Sequence, residues 1–213
     1  MRSLTDFIVT PVNNKRYINT KKIGDVEMVV SSSQEDHRFS NREAIVVETP
    51  LNYKGPIAKG DTLLVHHNVF KYYNDIKGRQ KSGRSFLKDN VFLIDSEQFF
   101  LYKHKGEWKT YDRYCFVKPI KTKKDMSLEK FCEYEPLMGI MEYPNDYLKS
   151  QGLKRGDTVS FKPYSEYIFY VNGEKLYRVY DHQITIKLNG LNRNKTRDNK
   201  SGKKSCKTTN KSC

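Results

Sequence analysis

Two stretches decide how this chain is read: Lys59-Gly60-Asp61-Thr62-Leu63-Leu64-Val65 and Arg155-Gly156-Asp157-Thr158-Val159-Ser160-Phe161. Each has a basic residue, a Gly-Asp turn and a short apolar run of the kind a strand needs. Working outward, Val47-Glu48-Thr49-Pro50 precedes the first and Met141-Glu142-Tyr143-Pro144 the second. The separation from proline to aspartate is 11 residues in one and 13 in the other. Downstream, Glu97, Phe100, Tyr111 and Asp112 match Glu166, Phe169, Tyr180 and Asp181, and glutamate and aspartate lie 15 residues apart in both sets. Strand-like runs follow each Tyr-Asp, at Tyr114-Cys115-Phe116-Val117 and at Gln183-Ile184-Thr185-Ile186. A repeated order of elements at this scale marks a tandem duplication.

The copies differ in one place. Asp61 to Glu97 spans 36 residues and Asp157 to Glu166 only 9, so the first copy carries an insertion of 27, placed at residues 70–95. Asn74-Asp75, Gly78 and Ser82-Gly83 mark turns in it, and Val91-Phe92-Leu93-Ile94 reads as a strand, which predicts an added hairpin.

Strands are expected at Phe7-Ile8-Val9, ended by Pro11, and at Ala44-Ile45-Val46-Val47. Lys105-Gly106 and Asn172-Gly173 read as hairpin turns, the second by type I′ chemistry. Helical periodicity is scarce: a short helix is expected over 127–134 and a single turn over 146–150. With 15 Tyr and 11 Phe, the composition suits pleated, half-buried surfaces.

The long polar segment 13–42 stands apart, with Ser31-Ser32-Ser33-Gln34-Glu35-Asp36 inside it and one apolar triplet, Met28-Val29-Val30. Loops of this length in compact domains carry function or are disordered. The triplet reads either as a short edge strand or as the sticky tip of a mobile loop.

Net charge is +14, and half of it sits in residues 189–213, where eight basic residues face one acid, Asp198. This segment reads as a disordered basic tail suited to polyanions. None of the four cysteines, Cys115, Cys132, Cys206 and Cys213, makes a C-x-x-C pair or a zinc-spaced cluster. The N-terminus lacks the apolar stretch of a signal peptide, no run has transmembrane length, and a cytoplasmic protein with reduced thiols is expected. His66-His67 is a poor metal pair if both lie on a strand, since neighbours there face opposite ways. No nucleophile-elbow, zincin, phosphate-loop or dinucleotide motif occurs, so no enzyme and no cofactor are expected. Lys71-Tyr72-Tyr73, Phe100 to Lys105 and Tyr164 to Tyr177 interleave basic residues with aromatics, as a nucleic-acid-stacking surface does; core packing by Tyr and Phe with Lys and Arg solvating the outer face is the preferred account.

The ordered pieces resemble the GroES family of co-chaperonins, in tandem as in plastid or phage forms. The carrying residues are Asp6-Phe7-Ile8-Val9, then Met28-Val29-Val30, Glu43-Ala44-Ile45-Val46-Val47, Gly60-Asp61-Thr62-Leu63-Leu64-Val65 and Tyr111 to Val117, with Gly156 to Phe161 repeating the turn. The resemblance covers about residues 5–188. It implies two small GroES-like β-barrels, 1–120 with the mobile loop and 121–188, with Tyr114 to Ile120 also serving as the opening strand of the second. A loop between Ile120 and Gly139 then takes the mobile-loop position of copy two, with Met126, Leu128 and Leu137-Met138 as its apolar candidates. It further implies a homo-oligomeric lid whose Met28, Val29 and Val30 dock on a chaperonin ring, the partner hydrolysing the ATP. Only Leu51 to Lys59 is available for the family's roof hairpin, and the insertion has no family counterpart. A β-barrel nucleic-acid-binding protein and a viral structural or assembly protein are the alternative readings.

Overall fold

The computed structural model describes residues 2–18, 20–23, 26–29, 39–122 and 133–188. In chain order its strands are β1 (Phe7–Pro11), β2 (Thr20–Ile23), β3 (Val26–Val29), β4 (Glu43–Glu48), β5 (Thr62–Val65), β6 (Tyr72–Asn74), β7 (Gln80–Ser82), β8 (Phe86–Lys88) and β9 (Val91–Ile94). They continue as β10 (Phe99–His104), β11 (Glu107–Thr110), β12 (Tyr114–Lys121), β13 (Tyr134–Tyr143), β14 (Thr158–Phe161), β15 (Tyr167–Val171), β16 (Glu174–Tyr180) and β17 (Ile184–Leu188). Among the described residues one α-helix, α1 (Asp146–Ser150), interrupts them. The fold is therefore mostly β, as the composition requires. The helix expected over 127–134 falls outside the described residues up to 132, and Tyr134 opens β13. The tail 189–213, with Cys206 and Cys213, also lies outside them, as do Cys132, Met126 and Leu128.

Two large sheets and two separate hairpins result: β11-β10-β5-β4-β1-β9-β8, β15-β16-β12-β13-β14-β17, β2-β3 and β6-β7. Both large sheets are open; neither closes into the expected barrel. Three apolar clusters alternate with them. Leu63 and Val65 join Phe7, Val9, Phe92 and Phe99 in the first, on one face of the seven-stranded sheet. Leu64, from the opposite face of the same strand, joins Phe100, Phe116, Phe169 and Leu176 in the second, between the sheets. Cys115, Val117, Met141, Val159 and Phe161 form the third, beyond the six-stranded sheet. Burial pushes the Cys115 thiol far up, as befits an inert, packed cysteine.

The backbone hydrogen bonds around the two Gly-Asp turns match one for one. Gly60 N–H donates to Val46 O at 2.8 Å and Val46 N–H to Asp61 O at 2.9 Å; Gly156 and Met141 repeat both bonds at 2.8 Å, the second to Asp157 O. Each aspartate carboxylate accepts from the amide three residues back, Ala58 or Lys154, at 2.8 Å. Gly60 and Gly156 have φ of 90° and 93°, which a side chain would oppose. Val9 pairs with Val46 and Val117 with Met141, and a bulge follows in both copies, at Ile8/Val9 and at Phe116/Val117. Pro11 opposite Ala44 then answers Pro119 opposite Gly139. The repeat thus reaches back through Phe-Ile-Val-Thr-Pro and Cys-Phe-Val-Lys-Pro. In this register Glu48 occupies the place of Tyr143, so Pro50 and Pro144 are offset by one residue.

Beyond the shared three strands the copies diverge. The hairpin β10-β11 attaches to β5, whereas its counterpart β15-β16 attaches to β12, the counterpart of β1. The equivalent edge of β1 is taken by β9 from the insertion. The edge that holds the hairpin in the second sheet is thus occupied by β9 in the first, where the hairpin lies on the other side. That side is filled in copy two by β17, and β12, the sequence counterpart of β17, pairs wholly within the second sheet. Tyr114 to Ile120 thus opens the second sheet and does not close the first.

The aspartates of the two turns have different partners. Asp61, nearly buried, faces His104 Nδ1 at 2.9 Å, while Asp157 meets Lys187 Nζ at 2.7 Å. Lys187, then the Lys154 amide, holds the Asp157 carboxyl below the usual carboxylate range. A depressed carboxylate contributes stability that is complete at neutral pH and lost as pH falls below about 4 through its folded value. Urea midpoints taken between pH 6 and pH 2.5 should therefore fall less steeply in Asp157→Asn than in the parent chain.

Candidate functional site

The segment 13–42 does not run as one open loop. β1 ends at Pro11, and Asn13 and Asn14, with φ of 58° and 56°, turn the chain. Ile18 N–H donates to Phe39 O at 2.7 Å and Asn41 N–H to Arg16 O at 2.8 Å, with Tyr17 bridged to Ser40. These bonds close the neck of an arm. Within it, among the described residues, β2 and β3 pair antiparallel with each other alone, Met28 opposite Lys21 and Val29 opposite Thr20. Val30 and the Ser31 to Asp36 stretch lie outside the described residues. In the second copy Leu137 and Met138 belong to β13, and Met138 pairs with Ser160.

Asn41 pins the neck from inside. Only 3% exposed, it donates to Val12 O at 3.1 Å and Lys15 O at 2.8 Å and accepts from Glu43 N–H at 2.9 Å. Arg16 ties the neck to the insertion. Its Nε donates to Phe70 O at 2.8 Å and Nη1 to Ser82 Oγ at 2.9 Å, while its guanidinium carbon lies 3.6 Å from the Tyr72 ring centroid and 4.9 Å from that of Phe92. Nη2 is buried with no acceptor, and the aromatic faces supply the compensating negative potential. Burial lowers the Arg16 pKa and Tyr72 opposes that shift. Tyr17 stacks on Tyr72 at 5.9 Å, and its hydroxyl accepts from Tyr72 N–H at 2.7 Å. The hairpin expected in the insertion forms as β6-β7, and it braces the arm.

A second contact links the neck to the other copy. Ser40 Oγ donates to His67 O at 2.8 Å. His66 and His67 rings lie 4.1 Å apart and both stack on Tyr167, at 5.9 and 5.8 Å, with the Tyr167 hydroxyl bonded to His67 Nδ1. The two imidazoles do not face opposite ways, because β5 stops at Val65 and they occupy the turn after it. Burial first, then Arg178 and Arg42, push the His66 pKa down, which favours the neutral ring. Arg42 donates to Ile168 O at 2.8 Å across the same seam. No group of three metal-ligating side chains gathers among the described residues.

The aromatic-basic stretches divide. Phe100, Phe169 and Tyr72 are packing residues, whereas Tyr164, Tyr170 and Tyr73 are exposed. Asn41, Arg16 and Tyr17, which build the neck, carried no signal in one sequence. They are isolated polar residues in a polar stretch, and their partners lie 54 to 66 residues away in Arg16's case.

No family model matches this chain, and no curated protein matches it significantly. No helix among the described residues is long and apolar enough to cross a membrane.

Proposed function

We propose that this chain is a co-chaperonin-like lid or adaptor with two GroES-like units, docking on a chaperonin ring through the arm 17–40 and assisting ATP-dependent folding carried out by that partner. The observation that supports this reading most is the arm. A hairpin whose strands pair with no other strand among the described residues is rooted at Tyr17 and Ser40 on the β body, and it carries Met28 and Val29. The order of pieces is that of the resemblance: first strand, arm, second strand, Gly-Asp turn. Apolar residues of the arm contribute roughly 1.5–3 kcal/mol each when fully buried in a partner's groove. One arm gives modest affinity after the entropy of ordering, so a homo-oligomer presenting several arms makes the lid hold.

The test is co-sedimentation with a chaperonin ring in the presence and absence of ATP. Replacing Met28, Val29 and Val30 together by Ser should abolish co-sedimentation while circular dichroism and the urea midpoint stay within error of the parent. Retained binding with a folded body overturns the reading.

A further inference from the structure

A groove of about 760 Å³ runs along the seam between the two copies, bordered on one side by the five consecutive residues Gly106 to Thr110. We propose that this groove receives an extended acidic segment of a partner protein, added as a strand to the outer edge of β11. This inference is independent of the lid reading.

The backbone supplies the first argument. β11 ends the seven-stranded sheet and, among the described residues, pairs only with β10. The two-residue turn at Lys105-Gly106, with φ of 51° and 89°, sets His104 opposite Glu107 as the pair that exchanges both hydrogen bonds. By alternation Glu107 and Lys109 turn their amides to β10, and Trp108 and Thr110 turn theirs outward into the groove. Those outward groups are the kind of template that takes up an added strand.

Side chains supply the second. Trp108 and Tyr143 offer aromatic walls from the two copies, with Pro144 and Leu153 beside them. Four cations line the groove, Lys109, Lys149, Lys154 and Arg155, against Glu107 and Glu142. Arg155 is closed on Glu142 and Lys149 on Asp146, whereas among the described residues the ammonium groups of Lys109 and Lys154 form no close ion pair, Lys154 meeting the Asp157 carboxylate only at longer range. A segment alternating acidic and apolar residues satisfies both halves: carboxylates toward Lys109 and Lys154, apolar side chains toward Trp108 and Tyr143.

Trp108 is the chain's single tryptophan, so its fluorescence reports the groove directly. A capped alternating Glu-Val octapeptide titrated into the full chain should give a saturable change in emission that weakens with added salt. Lys109→Glu combined with Lys154→Glu, both exposed, should weaken it at least tenfold without moving the thermal midpoint. The same peptide N-methylated at alternate residues should lose binding, and a Lys-Val octapeptide should give no saturable change. No response to the Glu-Val peptide, equal binding of the N-methylated form, or a response to single-stranded oligonucleotide in place of the peptide overturns the proposal.

Discussion

Gly139→Ala should lower the stability of the second unit by about 3 kcal/mol, at the upper end of what overpacking a core costs. A Cβ at this position would stand 2.3 Å from Val117 Cγ1 and 2.8 Å from the Lys118 carbonyl oxygen. Val117 is fully buried and the carbonyl is backbone in the neighbouring strand, so neither yields cheaply. The strand glycine here marks a close approach of two backbones. Ala44, its counterpart in the first unit, is fully buried and accommodated, so the constraint is local to copy two. Urea denaturation checks the value. Adding Val117→Ala should recover part of the loss, because it removes the side-chain collision and leaves the carbonyl. A midpoint within error of the parent would show that β12 and β13 separate freely at this point.

Gly139 also shows how sequence reading runs out. The resemblance makes it the end of a loop, yet it lies inside β13, which already begins at Tyr134. The period-two signal that would have revealed the strand is blurred by Pro136, by Leu137 at φ 56° and by bulges in its pairing with β12. Where turn chemistry is explicit, the reading holds. Gly60, Gly156, Lys105-Gly106 and Asn172-Gly173 all adopt the positive φ their sequences require. The equal 15-residue spacing from Glu97 to Asp112 and from Glu166 to Asp181 is genuine, but the hairpin turn sits five residues after Phe100 and three after Phe169. A shift of two leaves side chains on the same face, so Phe100 and Phe169 still meet, centroids 5.4 Å apart, at the seam.

What no local pattern encodes is pairing between distant segments. The insertion was legible as a hairpin from Asn74-Asp75 and Gly78, and as a strand from Val91 to Ile94. That β9 would take the free edge of β1, and so send β10-β11 across the sheet to β5, depends on competition for one strand edge. The first cluster makes the choice intelligible, since Phe92 and Ile94 from β9 are fully buried beside Phe7, Val9 and Phe70.

Arg16→Ala should destabilise the first unit by about 3 kcal/mol and loosen the neck of the arm by more than it loosens the core. Two acceptors, Phe70 O and Ser82 Oγ, lose their donor, and each buried group left unsatisfied costs about 1–3 kcal/mol. The stacking on Tyr72 and Phe92 disappears with them, worth about 2 kcal/mol for a desolvated cation over a ring. The sum exceeds the prediction because water reaches the vacated neck and satisfies part of the loss. Arg16→Lys should recover little, since an ammonium cannot reach Phe70 O and Ser82 Oγ with one planar fork. Amide exchange separates the brace from ordinary core packing. Exchange at Ile18 and Asn41, whose amides close the neck, should accelerate at least tenfold beyond the change at Leu64, deep in the sheet. Tyr72→Ala, which removes the ring and keeps the amide bonded to Tyr17, should reproduce the exchange effect with a smaller loss of stability. Equal acceleration at all three amides would make Arg16 a core residue like any other. Selective acceleration at the neck would mean that the insertion restricts the arm before any partner arrives, and a pre-restricted arm surrenders less entropy on docking.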